Sequence, residues 1–264
     1  MYDFAYQKPS SLADAVKVLG ADPEAKALAG GMTLIPVLKQ RLNKPTVVVD
    51  LAKLGLTGIS VAGNTVTIGG MATHGAVANN AEVKAKIPGL AELASIIGDD
   101  AVRHRGTIGG SLANNDPAAD YPAAALALGA TIKTDRRAIK ADDFFQGMFT
   151  TALEQGEIIT SVEFPVPEKS AYEKFRNPAS RYAIVGVYVA KTAAGVRVAV
   201  TGAGQNGVYR NTAMEQALTA NFSPDAIAGI TTAPDGMNSD IHASAEYRAH
   251  LVGVMAKRAV ARAF

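Results

Sequence analysis

Residues 101–122, AVRHRGTIGGSLANNDPAADYP, hold the densest set of groups able to bind a ligand. Gly106, Gly109 and Gly110 stand beside Ser111, Asn114, Asn115, Asp116 and Asp120. Glycine lets backbone N–H groups come close to a ligand. Several in succession make an anion site, which a helix start strengthens. A second stretch, AGGMTLIP over 29–36, repeats the arrangement after a short apolar run. Thr33 is the expected helix cap there, and Pro36 is tolerable only in the first turn. Two such loops suit two clamps on one polyphosphate. Neither has the spacing of G-x-G-x-x-G or of a P-loop, and neither carries Lys or Arg between its glycines. Their grip rests on N–H groups and helix dipoles, worth roughly 0.3–1 kcal/mol per helix end, so affinity needs many contacts.

Other chemistry is poorly supplied. His74, His104, His242 and His250 have no metal-motif spacing. His104, between Arg103 and Arg105, reads as a solvated basic turn. The serines lack a nearby histidine or a G-x-S-x-G elbow. Asp116 and Asp120, four apart, are conceivable as a carboxylate pair, but capping explains Asp116 with fewer assumptions. Asp116-Pro117 reads as the N-cap and first residue of a helix running to 128 and stopped by Gly129. No catalytic and no metal-binding residue is assigned.

The loops need strands and helices to carry them. Strands are expected over 2–6, 26–29, 47–51, 130–134 and 158–164, with a hairpin over 59–68 turning at Gly63-Asn64. Helices are expected from Ser10 or Ser11 to a stop at Gly20, over 33–42 and over 88–97. A third double glycine, Gly69-Gly70, reads as a strand end before a helix capped by Thr73 rather than as a ligand site. The aromatic-rich segment 142–149 is expected beneath the site. Beyond Pro165 and Pro167 the pattern changes to a hairpin over 183–201 and helices over 211–220, 225–230 and 244–264. The reading is an α+β protein in three parts, 1–57, 58–166 and 167–264.

The 264 residues are 48% apolar with net charge +2, so nothing points to nucleic acid or an anionic membrane surface. The chain has no cysteine, which removes disulfides, iron–sulfur ligation and a cysteinyl flavin from it. No apolar run approaches the roughly 18 residues of a spanning helix. The N-terminal residues lack the basic and apolar regions of a secretion signal. A cytoplasmic location is expected.

AGGMTLIP, followed at a distance by RGTIGGSLANNDPAADYP, resembles the flavin-binding subunit of the molybdenum hydroxylases. The type is the medium subunit of carbon monoxide dehydrogenase and the FAD portion of xanthine dehydrogenase. Residues 2–9, GEIITSVEFPVP over 156–167, Tyr172-Glu173-Lys174-Phe175, Tyr182-Ala183 and Ala245-Glu246-Tyr247-Arg248 extend the resemblance over the whole chain. It implies the FAD-binding fold of the vanillyl-alcohol oxidase and MurB-like flavoproteins: two small α+β subdomains, then a C-terminal α+β domain with an antiparallel sheet and helices. It implies non-covalent FAD, with Ala29, Gly30, Gly31, Met32, Thr33 and Leu34 on one side of the pyrophosphate. Thr107, Ile108, Gly109, Gly110 and Ser111 would lie on the other. Asn114 and Asp120, with Asp116 beside them, would lie towards the ribityl and ring end. Ile158 or Ile159 would line the adenine or ring pocket, Lys174 would touch the flavin from the last domain, and Tyr182 would lie against the isoalloxazine face. Met32-Thr33 stand where the family often has His-Ser, which weakens the case for a histidyl contact.

The implied function is electron transfer. FAD would accept electrons from [2Fe–2S] clusters of a small partner subunit, fed by a molybdenum cofactor in a large one, and pass them to a quinone, NAD or oxygen. The assembly would be a heterotrimer or a pair of heterotrimers, without a transmembrane segment, held at the inner face of the membrane only through the complex. Two other readings stay open. One is a stand-alone FAD-dependent oxidoreductase with its own small substrate. The other is a non-catalytic module whose glycine loops are only turns.

Overall fold

In the computed structural model, which describes residues 1–263, the β-branched run at 47–49 becomes the central strand of a small parallel sheet. Its elements are β1 (Ala5–Gln7), α1 (Leu12–Ala21), β2 (Lys26–Leu28), α2 (Leu34–Lys39) and β3 (Val47–Asp50), with β3 between β1 and β2. Ala5 pairs with Val47, and Leu28 with Asp50. The Ser11 hydroxyl caps α1 by accepting from the Asp14 N–H. Gly20, expected to stop α1, lies inside it in open space. Thr33 precedes α2 without capping it through its side chain. Ala15, Leu19 and Val49 pack with Met71 and Ile158, which joins this layer to the next.

The hairpin predicted at Gly63-Asn64 forms from β4 (Ile59–Ala62) and β5 (Thr65–Gly69). Six helices follow: α3 (His74–Asn79), capped by Thr73 as expected, α4 (Ala81–Lys86), α5 (Pro88–Ser95), α6 (Asp100–Arg105), α7 (Ile108–Asn114) and α8 (Tyr121–Leu128). The chain returns through β6 (Thr131–Thr134), β7 (Ala138–Lys140), α9 (Ala141–Phe144), β8 (Phe145–Gly147), β9 (Thr150–Thr151) and β10 (Ile159–Pro165). The antiparallel sheet has the order β4-β5-β10-β6-β7, with β8 and β9 paired apart from it. The glycine-rich stretch is more helical than its composition suggests. Asp99 caps α6 by accepting from the Val102 N–H, and Thr107 caps α7 by accepting from the Gly110 N–H.

Every residue of α8 is buried, so this helix has no polar face. It starts at Tyr121 rather than at Pro117. The Asp116 carboxylate turns back to the Ala118 N–H at 2.9 Å, and the Pro117 carbonyl accepts from the Gly202 N–H at 2.8 Å. Gly129, at φ 64°, ends α8 as predicted. Phe144 of the aromatic segment is fully buried, but Met148 and Phe149 are exposed. That segment packs beside the end of α7, where the Asn115 amide donates to the Gly147 and Thr150 carbonyls at 2.8 Å, and Phe144 joins the core that holds Ile108 and Leu112 of α7.

The last part is an antiparallel sheet in chain order: β11 (Lys169–Arg176), β12 (Ala183–Thr192), β13 (Gly195–Thr201) and β14 (Tyr209–Arg210). Its Tyr172 and Tyr188 join the core around α8, while α10 (Thr212–Ala220) and α11 (Ala245–Arg262) cover the other face. The helix expected over 225–230 shrinks to a 3-10 turn, Pro224–Ile227. The last helix ends at Arg262, and Phe264 lies outside the described residues. The α+β class expected from the resemblance is the one observed. Among the described residues, no helix is long and apolar enough to cross a membrane.

Candidate functional site

A cavity of about 630 Å³ lies between the β2–α2 loop, α7 and the loop over 177–182. Small-molecule sites span about 300–1,000 Å³. The residues singled out from the sequence line it, except Ile108, which is fully buried, and Lys174. The two glycine loops touch each other. A Cβ on Gly30 would run into the Arg105 carbonyl and stand 2.8 Å from the Gly106 Cα. A Cβ on Gly109 would stand 2.5 Å from the Gly70 carbonyl oxygen. Backbone packing therefore demands glycine at both positions before any ligand binds. It also brings the third double glycine to the site: Gly70 and Met71 line the cavity, so a pair read as structural does both.

The loops differ in the donors they offer. At the start of α7 the Ile108 and Gly109 N–H groups donate to the Ala72 and Gly70 carbonyls at 3.1 and 2.9 Å. The Gly110 N–H donates to the Thr107 hydroxyl at 3.2 Å, and the Ser111 N–H to the Thr107 carbonyl at 3.0 Å. That end is closed on itself. At the other loop, among the described residues, the N–H groups of Gly30, Gly31, Met32 and Thr33 find no acceptor within the chain. Gly31 turns the loop at φ 76°, a conformation other residues rarely adopt. Consecutive unpaired N–H groups on such a turn form a cradle for an anionic oxygen. Thr33, Ser111 and Asn114 also line the cavity, and their side chains make no hydrogen bond among the described residues. This donor set fits a bound diphosphate.

Charge in the wall is held by neighbours. The Lys174 Nζ, which the resemblance sends to the flavin, donates to Asp120 and to the Ile96 carbonyl at 3.3 Å. Burial pushes the Asp120 carboxyl up, while Lys174 and the Tyr172 hydroxyl pull it back. Burial also opposes the charge of Glu157, but hydrogen bonds from Arg137, the Glu154 N–H and Thr134 outweigh it and hold that carboxyl down to about 2. Tyr182 stands on the rim, half-exposed, its hydroxyl pushed up by burial and by Asp116 and Asp120. His74, Glu157 and Arg181 also line the cavity and were not anticipated from the sequence. A lone histidine, glutamate or arginine away from both motifs carries no sequence signal. Among the described residues, no three His, Asp or Glu side chains gather as a metal site.

Comparison with known proteins agrees with this geometry. Residues 2–167 match the family described as the FAD binding domain in molybdopterin dehydrogenase. The chain is 38% identical to the carbon monoxide dehydrogenase medium chain of Afipia carboxidovorans, over 98% of this chain and 96% of that one. It is 36% identical to the nicotine 6-hydroxylase medium subunit of Paenarthrobacter nicotinovorans, with the same coverage of 98% and 96%. The fold superposes on a chain of reconstituted CO dehydrogenase from Oligotropha carboxidovorans with a TM-score of 0.91 at 34% identity, covering 98% and 97% of the two chains.

Proposed function

The chain belongs to this family of FAD-binding subunits of molybdenum hydroxylases, and we propose that it relays electrons from [2Fe–2S] clusters of a small partner subunit to an external acceptor, a quinone, NAD or oxygen. A molybdenum cofactor on a large partner subunit feeds those clusters, and the substrate is a property of that subunit. The observation that carries this reading is the unpaired donor row from Gly30 to Thr33, in one cavity with the Ser111 hydroxyl and the Asn114 amide.

When bound, FAD supplies the redox chemistry. The chain supplies the binding. The N–H groups of Gly30, Gly31, Met32 and Thr33 donate to diphosphate oxygens, and Ser111 and Asn114 add side-chain hydrogen bonds. Ile158 and Ile159 provide apolar wall, and Tyr182 covers the open side. Asp120 is fixed by Lys174 and Tyr172, so Lys174 acts on the site through Asp120. No side chain needs to transfer a proton. We divide the chain at 1–57, 58–166 and 167–264, because each segment carries one of the three main sheets. The complex is placed in the cytoplasm.

The test is isolation of the complex through a tag on this chain. Two further subunits should co-purify with molybdenum, iron and FAD, and the flavin absorbance should bleach with reducing substrate and recover with acceptor. Turnover of a small substrate by this chain alone would contradict the relay and support a stand-alone flavoenzyme.

A further inference from the structure

Where the two glycine loops meet, a histidine is left with both ring nitrogens unengaged. His74 is 5% exposed and opens α3. Its backbone N–H donates to the Gly106 carbonyl at 2.9 Å, which fixes the residue beneath the second loop. Its ring lies so close to that loop that a Cβ on Gly106 would collide with Nε2. Gly106 is in turn the residue against which Gly30 packs. The ring is steadied by Tyr121, with centroids 5.3 Å apart. Nδ1 is sealed from solvent and has no partner. Nε2 makes no hydrogen bond among the described residues either, but it is not sealed, and His74 lines the cavity. Burial and the nearby Arg103 guanidinium keep the ring neutral. A neutral ring carries one proton. Placing it on Nδ1 would bury an orphan donor, the rarer and costlier defect. The proton therefore sits on Nε2, the ring nitrogen that is not sealed, in a residue that lines the cavity.

We propose that His74 is a ligand-binding residue whose Nε2–H donates to a diphosphate oxygen of the bound dinucleotide, at the junction of the two glycine loops. This rests on the FAD reading above and adds to it a donor outside both motifs. The neutral imidazole suits the place, since Arg103 already supplies positive charge nearby, held by the Ile97 and Gly98 carbonyls at 3.0 and 3.1 Å and by Asp100.

The complex isolated through this chain is stripped of FAD and titrated with it, following the quenching of flavin fluorescence. The wild type is compared with His74→Leu and His74→Gln, since a glutamine amide places a donor near Nε2. Loss of one hydrogen bond to a charged oxygen should weaken FAD binding about 10-fold or more in His74→Leu. His74→Gln should stay within about threefold, and the stripped proteins should melt within a few degrees of one another. Wild-type affinity in a folded His74→Leu, or equal losses in both variants, overturns the assignment. If His74→Leu does not fold, His74→Gln and the nitrogen-15 shifts of the wild-type imidazole decide: a proton on Nδ1 overturns it. Failure of the wild type to take up FAD would instead overturn the function proposed above, and this inference with it.

Discussion

Lys174 Nζ lies 2.9 Å from Asp120 Oδ1, an ion pair that ties the last sheet to the residue just before α8 at the cavity wall. The two side chains are 1% and 4% exposed, and the Tyr172 hydroxyl donates to the same oxygen at 2.6 Å. Such a pair contributes little against an apolar replacement of both members, but removing one partner is expensive. Lys174→Met should therefore cost about 3–5 kcal/mol of unfolding free energy in the FAD-free protein. The double variant with Asp120→Asn should recover part of that loss. Urea unfolding measures both, and a loss under about 1 kcal/mol for Lys174→Met would show that the pair is not the clamp described.

The glycines separate into two kinds. Gly30→Ala forces a methyl group into the Arg105 carbonyl, so the loops must part. Both the melting temperature and FAD retention should fall together. Gly20→Ala, inside α1 with nothing within 4 Å of the added carbon, should instead stabilise the protein by roughly 0.5–1 kcal/mol. Thermal melts with flavin content check both, and an unperturbed Gly30→Ala would dissolve the two-loop junction.

Thr107 and Ser111 are close in sequence and opposite in role. The Thr107 hydroxyl caps α7, so Thr107→Ala should lower stability by about 1 kcal/mol. Ser111 lines the cavity and its hydroxyl makes no hydrogen bond among the described residues, so Ser111→Ala should leave stability within about 0.5 kcal/mol and weaken FAD binding about fivefold. Paired denaturation and FAD titration would reveal the reverse pattern if the roles were exchanged.

Much of this was legible in the chain. The β-branched run at 47–49, the Gly63-Asn64 turn, the Thr73 cap and Gly129 each act locally, and local physics placed them correctly. The misses come from tertiary contacts. α8 starts late because the Pro117 carbonyl is engaged by Gly202, far along the chain. The Lys174–Asp120 pair was not legible because β11, which carries no clean alternation, meets a residue more than fifty positions away. The row of donors belongs to the first loop alone because Ala72 and Gly70 take the Ile108 and Gly109 N–H groups, a pairing no spacing rule encodes, and Thr107 takes the next two.

Acid should destabilise the FAD-free protein in two steps. His74 titrates near 4 when folded against 6.5 unfolded, so only the unfolded chain takes up this proton as the pH first falls below 6.5. Its contribution is full above 6.5 and is lost progressively towards about 4. Glu157, near 2 against 4.5, adds a second loss that begins below 4.5 and runs to about 2. Urea midpoints across this range should fall steadily with acid, and His74→Gln should flatten the upper window alone. An unchanged slope there would mean that His74 is not held neutral by the fold.

The central claim is that the cavity between the two glycine loops holds FAD, and equilibrium titration of the stripped complex with FAD tests it most directly. The account predicts saturation at FAD equimolar with this chain, with Gly30→Ala abolishing the uptake. A wild-type complex that stays colourless through the titration, or a folded Gly30→Ala variant that binds FAD as the wild type does, would contradict it.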